Sequence, residues 1–212
     1  MNRRVMLKQL AAAAALPILP AIAFAQEESK YTVIDPPQSV DTPGKIEVIE
    51  FFHYGCNHCR AFDPILQQWQ AKLPEDVILR KIPATWGNEA LKRLGQLYYT
   101  IDRTNAIETL NSAVFAAVQD QRLPLYERDG VEKWITGFDK INAKEFMETY
   151  DSFGVQSMVS RSEQAMKDYD VKLVPMLVVN GKYFTSPSQA GGQQGALEVV
   201  DQLIAKERQA KG

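Results

Sequence analysis

The sequence predicts an α/β fold in which an all-helical segment separates two groups of strands. A strand, a helix and a second strand follow one another between residues 45 and 82, an order typical of a parallel β-α-β unit. Apolar residues then recur at helical spacing from about residue 84 to residue 160, which indicates an inserted helical subdomain. Two short strands joined by a tight turn follow, and a last helix completes the predicted domain.

The first 25 residues have the composition of a cleaved export signal. Three basic residues precede an apolar run from Leu10 to Phe24, and Ala23 to Ala25 supplies the small residues of a cleavage site. The run is too short to span a bilayer and contains two prolines, which argues against an N-terminal membrane anchor. The segment NRRVMLK also resembles a twin-arginine motif, although ordinary unfolded export is the expected route.

Composition and charge argue against nucleic acid binding and against a membrane-spanning segment in the mature chain. The formal net charge of −2 becomes −5 once the three positive side chains of the signal are removed, and no basic patch points to nucleic acid. With 45% apolar residues, the mature chain can bury a sizeable core. No second apolar run is long enough to span a membrane.

The first strand leads directly to the cysteines. KIEVIEFF, residues 45 to 52, is rich in Val, Ile and Phe and predicts a buried strand. Cys56 and Cys59 follow it and are the only cysteines of the chain. The next apolar residues fall at helical spacing and are Phe62, Ile65, Leu66, Trp69 and Leu73. The pair therefore lies at a strand-to-helix junction with Cys56 near the helix N-terminus, and Pro64 predicts a kink or a break in the helix. VILRKI, residues 77 to 82, predicts the second strand.

The rest of the chain is mainly helical. Apolar periodicity predicts helices around Leu91 to Ile101 and around Ile107 to Val118. NAKE, residues 142 to 145, indicates a capping box at the start of another helix. After a helix that ends near Tyr169, VPMLVVNGKYF predicts two strands joined by Asn180-Gly181, a strong hairpin signal. The last helix is amphipathic, with Leu197, Val200, Leu203 and Ile204 on one side.

The cysteine pair calls for a chemical explanation. A disulfide between Cys56 and Cys59 closes too short a loop to hold distant parts of the chain together. A metal site is one alternative, because the only two histidines are close by: His53 precedes the pair and His58 lies between the two cysteines. Structural zinc sites usually draw ligand pairs from two separated segments, however, and the sequence contains no second pair. We therefore expect no metal, and we expect His53 to be a packed or hydrogen-bonded residue near the site.

These features together resemble the DsbA family of bacterial periplasmic thiol:disulfide oxidoreductases. The resemblance rests on the cysteine pair after EFF, the Val174-Pro175 step, the helical insertion and the export signal, and it spans roughly residues 30 to 208. It implies a thioredoxin fold, a periplasmic location and no cofactor. The implied division is a signal peptide at 1–25, a thioredoxin-like domain at 26–83 and 161–212, and an inserted helical subdomain at 84–160.

The resemblance also implies roles for residues outside the pair. It implies that Pro175 is cis and faces the cysteines, and that the backbone of Val174 binds an extended substrate chain. It places Glu50 beneath the active site, where the carboxyl aids proton transfer to and from the buried thiol. The alternative is that Glu50 faces solvent or pairs with a lysine such as Lys81, because a lone carboxylate on an apolar strand is costly to bury.

The chemistry of the residues agrees with this interpretation. A thiolate at a helix N-terminus is stabilised by free backbone N–H groups and by the helix dipole, so Cys56 is the expected exposed nucleophile. Cys59, one turn later, is the expected resolving thiol, and a protonated His58 adds positive charge beside the thiolate. Because these features stabilise the reduced form, we expect an oxidising disulfide. Asn57 stands where the family often has proline, which leaves the value of the redox potential open.

The expected function is that of a dithiol oxidase, which donates its Cys56–Cys59 disulfide to newly exported, unfolded proteins. A membrane-bound, quinone-linked partner like DsbB would reoxidise it. The alternative is a periplasmic disulfide isomerase or reductase on the same fold. Such isomerases usually carry a separate N-terminal dimerisation domain, whereas only about 20 mature residues precede the first predicted strand here, too few to fold alone. We therefore expect a monomeric oxidase. A non-catalytic metal-binding or peptide-binding module is the third class.

Overall fold

The computed structural model describes residues 29–211, so the predicted signal peptide lies outside the described residues. Within this part of the chain there are five strands and seven helices. The strands are β1 (Thr32–Val33), β2 (Ile46–Phe52), β3 (Val77–Pro83), β4 (Met176–Val179) and β5 (Tyr183–Thr185). The helices are α1 (Asn57–Gln70), α2 (Glu89–Arg103), α3 (Ile107–Gln119), α4 (Arg128–Ile135), α5 (Ala143–Tyr150), α6 (Phe153–Asp168) and α7 (Gln193–Lys211).

The five strands of the described region form one mixed sheet in the order β1-β5-β4-β2-β3. β2 and β3 are parallel along their whole length, which confirms the predicted β-α-β unit. β4 runs antiparallel to β2 and forms a hairpin with β5. The connection contains Asn180, Gly181 and Lys182. Asn180 and Gly181 have φ angles of 51° and 67°, as the two central residues of a type I′ turn require. A Cβ on Gly181 would lie 2.1 Å from the carbonyl oxygen of Gln38, so a larger residue is excluded there.

β2 is an interior strand, and all of its residues are buried, as its apolar sequence predicts. Val48 faces a core shared with α1 and α7, to which Phe62 and Val200 contribute. Ile49 points to the opposite face, where it belongs to a core that includes Met166 of α6. Helices on both faces therefore exclude water from the strand that leads to the cysteine pair.

Helices α2 to α6 contribute to a further apolar core, which reaches Phe52 and Tyr54 at the end of β2. α6 contacts both α2 and β3, so this helix connects the helical segment to the sheet. The division of the chain at residues 84 and 160 stays a prediction. In residues 29–211, no helix has the length and apolar character needed to cross a membrane.

The helices largely follow the predicted pattern. The predicted start of α5 is confirmed, because the side-chain oxygen of Asn142 accepts the backbone N–H of Glu145 at 3.3 Å. Leu73 lies beyond the end of α1, although it continues the helical spacing. α4 was not predicted; it begins after Glu127, whose side chain makes no capping hydrogen bond.

Candidate active site

Cys56 is the N-cap residue of α1, and its sulfur accepts a hydrogen bond from the backbone N–H of Cys59 at 3.0 Å. A disulfide bond joins the two cysteines, whose Cα atoms are 5.2 Å apart. α1 continues through Pro64 to Gln70, so the proline does not split the helix. The sulfur of Cys56 therefore lies at the positive end of a helix dipole, among backbone N–H groups that have no partner within the helix.

The two cysteines differ in exposure. Cys56 exposes 8% of its surface and Cys59 only 1%, so Cys56 is the sulfur that an external thiol can approach more easily. The order agrees with the predicted roles, although Cys56 is more covered than the sequence suggests. Asn57 and His58 lie between the cysteines on the exposed side of the first helical turn.

The loop before β4, which contains Val174 and Pro175, borders the disulfide. The Val174–Pro175 peptide bond is cis, as the resemblance implies. The carbonyl oxygen of Val174 lies 3.7 Å from the sulfur of Cys56. Because a disulfide sulfur carries no proton, this is a close contact rather than a hydrogen bond. The backbone of Val174 thus borders the more exposed sulfur.

A buried charge cluster lies at the interface between α1 and the sheet. Glu50 of β2 is buried, and the amino group of Lys81 lies 3.0 Å from its carboxylate and 2.5 Å from that of Asp63. Asp63 also accepts hydrogen bonds from the side chains of Asn111 and Gln67. Glu50 thus pairs with Lys81, which was the alternative considered for this carboxyl, and its role in proton transfer stays a prediction. Asp63 was missed, although a carboxylate on the apolar face of α1, four residues after Cys59, was a usable signal.

The charges of the cluster influence one another. Burial raises the pKa of Glu50 above its ordinary value, and the charge of Lys81 offsets only part of this effect. Burial alone would lower the pKa of Lys81, but the carboxylates of Glu50 and Asp63 raise it instead. The cluster therefore combines a charged lysine with a carboxyl that binds a proton more readily than it would in water.

His53 packs against an aromatic side chain. Its ring meets Trp86 edge to face with 5.8 Å between the ring centroids, and a Cβ on Gly55 would lie 3.3 Å from its Nδ1. Nδ1 is buried without a hydrogen-bond partner in the described region, and burial lowers the pKa of His53. His53 is thus a packed residue, as predicted. Within residues 29–211, no three His, Cys, Asp or Glu side chains are grouped to hold a metal ion.

Two exposed apolar side chains lie close to the site and were not predicted. Trp86, 44% exposed, packs against His53, and Leu173, 45% exposed, directly precedes Val174. Trp86 has a φ of 43°, a conformation that is unusual for a bulky residue. Its indole N–H donates to the carbonyl oxygen of Val171 at 2.9 Å, which fixes the ring on this side of the site. No apolar periodicity marks these loop residues in the sequence.

The fold and the Cys-x-x-Cys disulfide at the start of α1 define a thiol:disulfide oxidoreductase built on a thioredoxin fold. The family model described as "DSBA-like thioredoxin domain" matches residues 47–196. The chain belongs to this DSBA-like thioredoxin family.

Individual relatives agree with the family assignment. The chain is 39% identical over 199 residues to the thiol:disulfide interchange protein DsbA of Bordetella parapertussis. The matched region covers 93% of this chain and 94% of that protein. It is 40% identical to the protein of the same name from Pseudomonas syringae, over 81% of this chain and 79% of the relative. The crystal structure of Pseudomonas aeruginosa DsbA superposes on this structure with a TM-score of 0.82 at 35% sequence identity. The match covers 86% of this chain and 94% of the Pseudomonas aeruginosa chain.

Proposed function

We propose that this protein is a dithiol oxidase that transfers its Cys56–Cys59 disulfide to reduced cysteines of other proteins. The observation that carries the proposal is the position of the Cys56 sulfur at the N-terminus of α1, 3.0 Å from the backbone nitrogen of Cys59. Once the bond is reduced, this N–H and the helix dipole favour the thiolate form of Cys56. A disulfide whose reduced form is stabilised in this way is a strong oxidant.

The transfer proceeds in two exchange steps. A substrate thiolate attacks the sulfur of Cys56, the Cys56–Cys59 bond breaks, and Cys59 leaves as a thiolate. A second substrate thiolate then attacks the substrate sulfur of the mixed disulfide and releases Cys56 as a thiolate. The substrate loses two electrons and gains a disulfide, while this protein gains both electrons and becomes a dithiol.

Glu50 is assigned to proton transfer at Cys59. The leaving thiolate is formed at a buried sulfur and needs a proton, because an unpaired charge in that environment is costly. Asp63 lies one helical turn after Cys59 on α1, and Lys81 connects Asp63 to Glu50. The raised pKa of Glu50 means that this carboxyl binds a proton more readily than an exposed one, as a proton donor and acceptor for a thiol requires.

Val174 is assigned to substrate binding. Its carbonyl borders the Cys56 sulfur at 3.7 Å, so the backbone beside it can form strand-like hydrogen bonds with an extended chain whose cysteine reaches Cys56. Trp86 and Leu173 add exposed apolar surface near this backbone. An unfolded protein offers far more extended backbone and exposed apolar side chains than a folded protein does.

The cellular setting forms part of the proposal. The substrates are newly exported, unfolded proteins in the periplasm, and a membrane-bound, quinone-linked protein like DsbB reoxidises this protein, which acts as a monomer. The basic and apolar pattern of the first 25 residues supports export. The relatives named thiol:disulfide interchange protein DsbA support the exchange reaction.

The experiment mixes the oxidised protein with an equal amount of a reduced, unfolded protein that has two cysteines. After acid quenching, free thiols are labelled and counted by mass spectrometry. We expect the substrate to lose two thiols while Cys56 and Cys59 gain two. The double variant Cys56→Ser/Cys59→Ser is the control and should leave the substrate reduced. A substrate that stays reduced with the wild-type protein would refute the oxidase. In a separate mixture with a substrate that contains mispaired disulfides, rearrangement catalysed only by the reduced protein would favour the isomerase instead.

A further inference from the structure

Tyr54, two residues before Cys56, is held by one face of α3. Its hydroxyl donates to the side-chain oxygen of Asn111 at 2.8 Å. Its ring meets Phe115 edge to face, with 4.8 Å between the centroids. Its carbonyl oxygen accepts a hydrogen bond from the side-chain amide of Gln119 at 2.7 Å. Asn111, Phe115 and Gln119 recur every four residues and therefore share one face of the helix.

Gln119 also contacts the cysteine itself. Its amide nitrogen lies 3.2 Å from the carbonyl oxygen of Cys56, which also accepts the backbone N–H of Arg60 at 3.0 Å. The next residue, Asp120, forms two contacts of 2.6 Å with the Arg60 guanidinium. The end of α3 therefore binds the turn before Cys56 and the first helical turn after it.

The two attachments differ in strength. Tyr54 is buried, so removal of the Gln119 amide would leave a carbonyl oxygen without a donor and without ready access to water. Such an unsatisfied group costs more than an ordinary hydrogen bond contributes. The pair of Arg60 and Asp120 is solvent-exposed, and exposed ion pairs contribute little. Gln119 is therefore the stronger attachment.

We propose that Gln119 is a positioning residue for Cys56. It holds the turn from Tyr54 to Cys56 so that the Cys56 sulfur stays at the N-cap of α1, within hydrogen-bond distance of the Cys59 N–H. The helical insertion, to which α3 belongs, thereby sets how strongly the reduced Cys56 thiolate is stabilised. The inference rests on the proposed function, because the same N-cap thiolate makes the disulfide oxidising.

The test replaces the glutamine by an apolar residue of similar size. In Gln119→Leu both hydrogen bonds are lost, and the turn can carry the sulfur away from the helix terminus. We expect the pKa of the reduced Cys56, measured by thiolate absorbance, to rise by about one unit. The equilibrium constant with glutathione should shift about tenfold towards the oxidised form of this protein. Gln121→Leu makes the same change at an exposed glutamine two residues further on and should alter neither quantity.

A purely structural role gives a different result. It would lower the thermal midpoints of the oxidised and reduced proteins equally and leave the thiol pKa and the glutathione equilibrium unchanged, which would overturn the inference. If Gln119→Leu does not fold, Gln119→Asn carries the same test, because its shorter amide cannot reach both carbonyls. A wild-type protein that fails to exchange with glutathione would refute the proposed function. Normal exchange by both the wild type and the variant would refute only the role of Gln119.

Discussion

The sulfur of Cys56 lies 3.7 Å from the carbonyl oxygen of Val174, although 118 positions separate the two residues in the chain. The helical segment fills most of that separation. The antiparallel pairing of β2 with β4 places Phe51 opposite Met176. The end of β2 and the start of β4 therefore lie side by side, which brings the two ends of the helical segment close together. A substrate cysteine that reaches Cys56 must therefore lie beside the backbone of Val174.

The two cysteines should respond differently to substitution. Cys56→Ser should abolish substrate oxidation and the formation of mixed disulfides, because Cys56 is the attacked sulfur. A reduced Cys59→Ser protein offered an oxidised substrate should retain the substrate covalently on Cys56, since no second thiol resolves the bond. Gel electrophoresis without reductant measures the trapped complex. Faster alkylation of Cys59 than of Cys56 in the reduced protein would reverse the assignment.

His58 should raise the oxidising power of the pair. It is exposed beside Cys56, so its positive form stabilises the thiolate and is screened by salt. In His58→Ser we expect the pKa of Cys56 to rise by about one unit, with a smaller difference in 1 M salt. His53→Ser is the matched control. Burial lowers the pKa of His53, so at any given pH that ring carries less positive charge than it would without burial. Equal effects of the two substitutions would contradict the electrostatic role.

Much of the fold could be predicted because its signals are local. The apolar run of β2, the Asn180-Gly181 turn and the cap at Asn142 each depend on neighbours in sequence. β1 could not be predicted in this way, because it has only two residues, both exposed. Its strand geometry comes from pairing with β5, which lies about 150 residues later and leaves no local pattern.

The site was predictable only where chemistry marks a residue. The cysteines are unique in the chain, and Glu50 is conspicuous on an apolar strand. The roles of Tyr54 and Gln119 depend instead on where α3 packs, which no short-range pattern determines. Tyrosine and glutamine are also common residues on ordinary helices and loops, so their presence alone carried no signal.

Glu50 should make stability depend on pH in a defined direction. Its pKa is raised from the ordinary 4.5 by burial, so the folded protein binds this proton more tightly than the unfolded one. The resulting stabilisation is present below pH 4.5 and is lost as pH rises through the folded value. The Glu50→Gln variant has no carboxyl at this position, so it does not lose this stabilisation as the pH rises. The free energy of unfolding of the variant, relative to the wild type, should therefore increase between pH 4 and pH 8.

Urea denaturation of the two oxidised proteins measures this difference. Keeping the disulfide intact removes any contribution from the thiols. Lys81 keeps its partner Asp63 in the variant. A difference that stays constant or falls as the pH rises would contradict the raised pKa of Glu50.

The reduced protein should be more stable than the oxidised protein at neutral pH. The disulfide closes a minimal loop and contributes little chain entropy, whereas reduction creates a thiolate whose pKa lies below the unfolded value of about 8.5. A depression of about three units would stabilise the reduced fold by about 2 kcal/mol at pH 7. A depressed pKa loses its benefit as pH falls through the folded value, so the advantage should shrink near pH 3.

Thermal melts of the oxidised and reduced proteins at both pH values give the comparison. Cys56→Ser is the control, because it has neither the disulfide nor the Cys56 thiolate, and it should lack the advantage of the reduced wild type at neutral pH. A higher midpoint for the oxidised than for the reduced wild type at neutral pH would refute the thiolate argument.

The central claim is that the helix terminus makes the Cys56–Cys59 bond an oxidising disulfide, and equilibration with glutathione tests it most directly. The reduced fraction is measured by mass spectrometry after acid quenching, over a series of ratios of reduced to oxidised glutathione. Our account predicts half reduction at a potential well above that of a thioredoxin, which is about −270 mV. A midpoint as low as that of a thioredoxin would contradict it and favour a reductase.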